Sequence, residues 1–189
     1  MKENIKASAR TTAFAILLSV AAFIIFAIEL WIFPGLDSNT VSMNPFISGF
    51  MHGSLSHIGL NAFVLFFVLL SPVNSGYDIK KIVIVTTIIS LIYLPVSVLG
   101  ITKAAIGLSG TCYFLLSRYF FSWKRYKVLG YAIILFLAFA EGLALPKGDG
   151  EAHGVHLIGI LLGFITLHLQ VPAIGPNKKV SPFDETLFL

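Results

Sequence analysis

The sequence predicts an all-α membrane protein, a polytopic bundle of six transmembrane helices forming one domain over 1–189. Three observations predict it. Apolar residues make up 57% of the chain and charged residues only 12%, about half the ~25% usual in soluble domains. The apolar residues gather in six runs, each near the roughly 20 residues that cross ~30 Å of hydrocarbon. Prolines and short turn strings separate the runs. So few charges cannot cover a soluble protein of 189 residues. An ordinary cytosolic enzyme, a nucleic-acid binder and a disordered chain are therefore excluded. The single cysteine, Cys112, excludes a disulfide framework and a CxxC metal site.

The first run, 11–33, is closed by Pro34. It follows Lys2, Lys6 and Arg10, as the core of a signal peptide would. It exceeds the h-region length of about 7–15 residues, and no small-x-small cleavage site follows, so it reads as an uncleaved span. The second run, 51–71, ends at Pro72, and the third, 81–99, carries Pro95 as an expected kink. The fourth, 104–122, is the weakest because Arg118 interrupts it. The fifth, 128–145, ends at Pro146, and the sixth, 153–171, ends at Pro172. The tail, 173–189, carries Lys178, Lys179, Asp184 and Glu185 and reads as loose.

Charge gives the orientation, because Lys and Arg are retained on the cytoplasmic side. Lys2, Lys6 and Arg10 precede the first span, and Lys80 and Lys81 follow the second. The loop between the fourth and fifth carries Arg118, Lys124, Arg125 and Lys127, and the tail carries Lys178 and Lys179. Only Lys103 and Lys147 fall on the other side. Both termini are expected in the cytoplasm. The net charge of +4 is thus a topology signal, and no nucleic-acid partner is expected.

Polar groups at membrane depth need a partner or a task. The second span opens with His52, Ser54, Ser56, His57 and Asn61, the fourth with Gly107-Leu108-Ser109-Gly110, and the sixth with His153, Gly154 and His156. All three spans run outside to inside, so their polar openings share the outer part of the membrane. A serine hydroxyl becomes nucleophilic when an imidazole takes its proton. Asn, His and backbone N–H groups can stabilise the resulting oxyanion. No Asp or Glu stands beside the histidines in helix register, so a dyad is expected rather than a triad. Glu29 and Glu141, near outer helix ends, read as snorkelling or hydrogen-bonding groups, and His168 as an interfacial residue.

Each string also has a plain structural reading. Gly107-Leu108-Ser109-Gly110 can be a close-packing point, and Thr111 departs from the G-x-S-x-G elbow. His57 and Asn61, at i,i+4, can be a hydrogen-bonded pair on one face. Gly159 and Gly163 can be a helix-contact groove. No metal or cofactor is expected. His153 and His156 offer nitrogens at i,i+3, but no third ligand accompanies them in register.

Together the three strings resemble the rhomboid family of intramembrane serine proteases. The family pattern is H-x4-H-x3-N on the second span, G-x-S-G on the fourth and H-x2-G-x3-G on the sixth. This chain has His52, His57 and Asn61; then Gly107, Ser109 and Gly110; then His156, Gly159 and Gly163. The resemblance implies Ser109 as nucleophile and His156 as general base. It implies an oxyanion hole of Asn61, His57 and the backbone N–H of Ser109, with His52 supporting the network. Tyr113 would pack on the catalytic imidazole, and its i+4 spacing puts it on the face of Ser109. The implied substrates are single-span membrane proteins cut near the outer face of the bilayer. The alternative is a catalytically inactive rhomboid-like protein that binds membrane clients. The chain departs from the family at Met43 and Asn44, where Trp-Arg is usual, and in its short first loop.

Depth separates the two candidate bases. Ser109 lies about 22 Å of helix above Lys124; His156 lies about 24 Å and His153 about 28 Å above Pro172. His156 is therefore expected to meet the serine.

Overall fold

The computed structural model describes residues 2–32, 50, 55–98, 108–145 and 153–169. Among the described residues the regular structure is helical, with no strand. Six helices run in the order α1 (Lys2–Ile32), α2 (Leu55–Leu70), α3 (Ile79–Val98), α4 (Ser109–Phe121), α5 (Lys127–Ala144) and α6 (His153–His168). Each overlaps one of the six apolar runs. Two helical stretches, Lys2–Ala22 and Lys127–Ala144, are long and apolar enough to cross a membrane, while Ser56–Leu70 and His153–His168 are apolar but shorter.

The helix limits differ from the apolar runs for local reasons. The first helix begins at Lys2 rather than at 11. Nothing between Lys2 and Thr11 breaks a helix, and Glu3 in its first turn favours the positive end of the helix dipole. The third continues past Pro95 to Val98. Its start is set by Asp78, whose Oδ1 accepts from the Lys81 N–H at 3.0 Å, an N-cap bond. The fourth helix has 13 residues, about 20 Å at 1.5 Å per residue.

α4 lies at the centre, packed chiefly on α6 and also against α2, α3 and α5; α1 lies against α2 and α3. Missing side chains explain the α4–α6 contact. A Cβ on Gly159 would strike the Gly110 carbonyl and the Phe114 amide, and one on Gly163 the Ser117 hydroxyl and the Phe114 carbonyl. A Cβ on Gly110 would meet Val155 and Ile89. Backbone therefore rests on backbone, the small-residue contact of membrane helices.

The core is apolar, with Leu65, Ile82, Ile89 and Leu115 fully buried, but large apolar side chains also face outward and several polar groups face in. Leu17, Leu60, Phe63, Phe136, Phe139 and Leu161 are exposed, whereas Asn61, Asn74, Thr86, Thr111, Arg118 and Glu141 are buried. The buried groups have partners. Thr86 and Thr111 share a 2.7 Å hydroxyl hydrogen bond between α3 and α4. Asn74, in the α2–α3 turn, donates to the carbonyls of Val68 at 3.2 Å and Leu115 at 2.9 Å.

Arg118 departs from its reading as a loop residue. It is a buried residue of α4. It donates to Asn74 Oδ1 at 3.3 Å and to Thr166 Oγ1 at 2.9 Å. Its guanidinium also lies over the rings of Tyr77 and Phe114. The charge that weakened the fourth apolar run is thus a tie between α4, α6 and the α2–α3 turn. Tyr77, in that turn, has its phenol pKa raised by burial and lowered less by the charge of Arg118.

Candidate functional site

Ser109 is the first residue of α4. Its N-cap, Leu108, makes no side-chain capping bond. Among the described residues, the Cys112 amide donates to Leu108 O at 2.9 Å. The N–H groups of Ser109, Gly110 and Thr111 precede it, at the positive end of the helix dipole. The hydroxyl of Ser109 therefore stands beside the first amides of α4.

The backbone contact at Gly110 and Gly159 brings the first turn of α6 alongside. His156 Nε2 lies 2.8 Å from Ser109 Oγ, and both residues are 8% exposed. Tyr113 stacks on the imidazole of His156 with centroids 4.4 Å apart and planes 11° from parallel. The ring blocks one face of the imidazole and limits its rotation.

Glu141 of α5 is a hydrogen-bonding group, as expected, but its place beside the histidines corrects the expectation that no carboxylate accompanies them. Its Oε1 accepts from the Tyr113 hydroxyl at 2.5 Å. Its Oε2 lies 2.5 Å from His153 Nδ1 and 2.9 Å from His156 Nδ1. The contact to His156 is close but bent, so this nitrogen has no in-line hydrogen-bond acceptor. A carboxylate thus meets the far side of the imidazole that faces the serine. Register within one helix could not show this, because Glu141 and His156 belong to different helices. A signal was present: Glu141 is 14 residues after Lys127, about 21 Å of helix, which is the depth of Ser109.

The same cluster supplies the missing third metal-ligand atom, since Glu141, His153 and His156 offer atoms all within 4.8 Å of one another. Their contacts of 2.5 and 2.9 Å are tighter than the roughly 3.3 Å between ligands of a tetrahedral zinc with ~2.0–2.1 Å bonds. They have the spacing of hydrogen-bonded partners.

The remaining candidates divide. Asn61 is buried on α2, and its backbone carbonyl accepts from Cys112 Sγ at 3.4 Å, one turn along α4 from Ser109. His57 is half-buried one turn earlier on α2. Gly110, Gly159 and Gly163 form the α4–α6 contact. His168 is exposed, with its Nε2 3.1 Å from the Tyr131 hydroxyl. His52, Gly107, Lys103, Lys147, Met43, Asn44, the tail 173–189 and the side chain of Glu29 lie outside the described residues. No family model, curated protein or solved structure matches the chain.

Proposed function

We propose that this chain is an intramembrane serine endopeptidase of rhomboid type. It is a six-span protein with both termini in the cytoplasm, and it cleaves single-span membrane proteins near the outer face of the bilayer. The observation that carries the reading is the 2.8 Å contact of Ser109 Oγ with His156 Nε2. The stacked Tyr113 and the position of Ser109 at the start of α4 support it. The exposed large apolar side chains and the polar groups buried among the helices support the membrane setting, as do the two helices of spanning length.

His156 Nε2 takes the hydroxyl proton as Ser109 Oγ attacks the scissile carbonyl carbon. The oxygen gains negative charge beside the first amides of α4, with the side chains of Asn61 and His57 as further donors. His156 then gives the proton to the leaving amine, which departs and leaves an ester on Ser109. Water, deprotonated by His156, hydrolyses that ester and restores the hydroxyl. Water enters from the outer side, along the polar openings of α2, α4 and α6. The test is cleavage of a single-span substrate by the purified protein, with phosphonate labelling of Ser109 as a second readout.

Two expectations belong to this reading. A reporter fused after Leu189 reads cytoplasmic and a tag at Gly148–Gly150 reads external; a C-terminal reporter found outside refutes the topology. Asn61→Ala lowers turnover by roughly 10²–10³-fold, as for one lost oxyanion donor. Phosphonate labelling of Ser109 survives in weakened form, because nucleophile and base remain. Wild-type turnover in Asn61→Ala removes that role.

A further inference from the structure

We infer that Glu141 is a positioning residue for His156, so that the dyad works as a Ser109–His156–Glu141 triad assembled from three helices. The inference rests on the serine-protease reading above. Its starting point is proton count. A neutral imidazole carries one N–H. Nε2 can accept the Ser109 proton only if that hydrogen sits on Nδ1. Nδ1 of His156 is buried, and a buried N–H needs an acceptor. Glu141 Oε2, at 2.9 Å, is the acceptor at hand.

The carboxylate is itself held. Tyr113 donates to Oε1, and His153 Nδ1 meets Oε2. With His156 that makes three donors converging on one group, which an ionised carboxylate with about four lone-pair sites can accept. Two of the three partners, His153 and His156, lie in the first turn of α6, where the helix dipole favours an anion. Tyr113 joins the two functions: its ring stacks on His156 while its hydroxyl fixes Glu141.

The bent contact at Nδ1 fits this role. Catalytic hydrogen bonds are often poorly aligned without substrate and tighten in the transition state. When Ser109 attacks, its proton moves to Nε2 and the ring becomes a cation. A small turn of the ring brings Nδ1–H in line with Oε2, where the negative charge stabilises it. Glu141 takes no proton itself.

The test compares Glu141→Gln and Glu141→Asp with wild type, using the full chain in detergent. Glutamine keeps the shape but sets an amide where a second acceptor oxygen stood, which favours the wrong tautomer. For Glu141→Gln, kcat for a single-span substrate falls about 10²-fold or more. KM stays within about twofold, because substrate binding does not use this group. Glu141→Asp recovers part of the loss, since a carboxylate remains. In ¹⁵N-histidine spectra, His156, assigned by difference with His156→Gln, carries its hydrogen on Nδ1 in wild type and shifts toward Nε2 in Glu141→Gln. A wild-type His156 protonated on Nε2, or an undiminished kcat in folded Glu141→Gln, overturns the inference. Should Glu141→Gln not fold, the wild-type and Glu141→Asp spectra decide alone. The protease reading fails separately, by absence of a phosphonate adduct on wild-type Ser109, and the tautomer measurement needs no turnover.

Discussion

Ser109→Ala or His156→Ala is expected to lower cleavage of a single-span substrate by about 10⁴-fold or more, since members of a nucleophile–base pair act as a unit. Both variants should also lose phosphonate labelling. Ser109→Ala removes the atom that forms the bond, and His156→Ala leaves a hydroxyl with no base at 2.8 Å. His153→Ala is the informative comparison. His153 lies one turn from His156 on the same face, and register alone does not separate them. Its Nδ1 is engaged with Glu141 Oε2, so its loss removes one donor from the carboxylate and leaves the serine–imidazole contact in place. A substantial part of cleavage and labelling should survive. If His153→Ala abolishes cleavage and labelling while His156→Ala retains them, His153 is the base.

The second large effect concerns the seam that brings serine and histidine together. Gly159→Ala places a methyl against the Gly110 carbonyl and the Phe114 amide. Both are backbone atoms inside a helix, with no flexible end to swing aside. Either α6 moves off α4 or the strain remains, and overpacking of this kind costs typically 1–3 kcal/mol. Gly163→Ala meets the Phe114 carbonyl as well as the Ser117 hydroxyl and should behave alike. Thermal unfolding in detergent measures the loss of stability. Phosphonate labelling measures the loss of the Ser109–His156 contact, which depends on the same approach. Gly59→Ala is the control. A Cβ there meets nothing within 4 Å, and alanine in a helix interior is favoured over glycine by about 0.8–1.0 kcal/mol. Its melting temperature should hold or rise. Equal stability of Gly59→Ala and Gly159→Ala would mean that the glycine seam does not set the helix spacing.

Much of the architecture was legible because apolar helices are read one at a time. Apolar run length, closing prolines and turn strings depend only on local chemistry, and each of the six runs overlaps a helix, two of them with stretches long and apolar enough to span a membrane. Exact limits were less legible. The helical stretch before Thr11 carries no apolar signal, and Arg118 looked like the edge of a loop until its partners Asn74 and Thr166 were in view. A charge in an apolar run reads as an interruption when its neighbours along the chain are the only ones considered.

The sequence by itself determined which helices exist and which residues of each share a face. It also set Ser109 and His156 at similar depth and placed Tyr113 one turn from Ser109. These relations follow from a rise of 1.5 Å and 3.6 residues per turn, which hold within a single helix. Only the tertiary structure decided what lies between helices. It set how closely α4 and α6 approach, through glycines whose role depends on the backbone opposite. It turned His156 toward Ser109 and His153 toward Glu141. It brought Glu141 from a third helix to the far side of the imidazole. Distance along the chain carries no information about the rotation of one helix against another. That rotation is set by the packing of whole surfaces, so the carboxylate's place became visible only when the three helices were assembled.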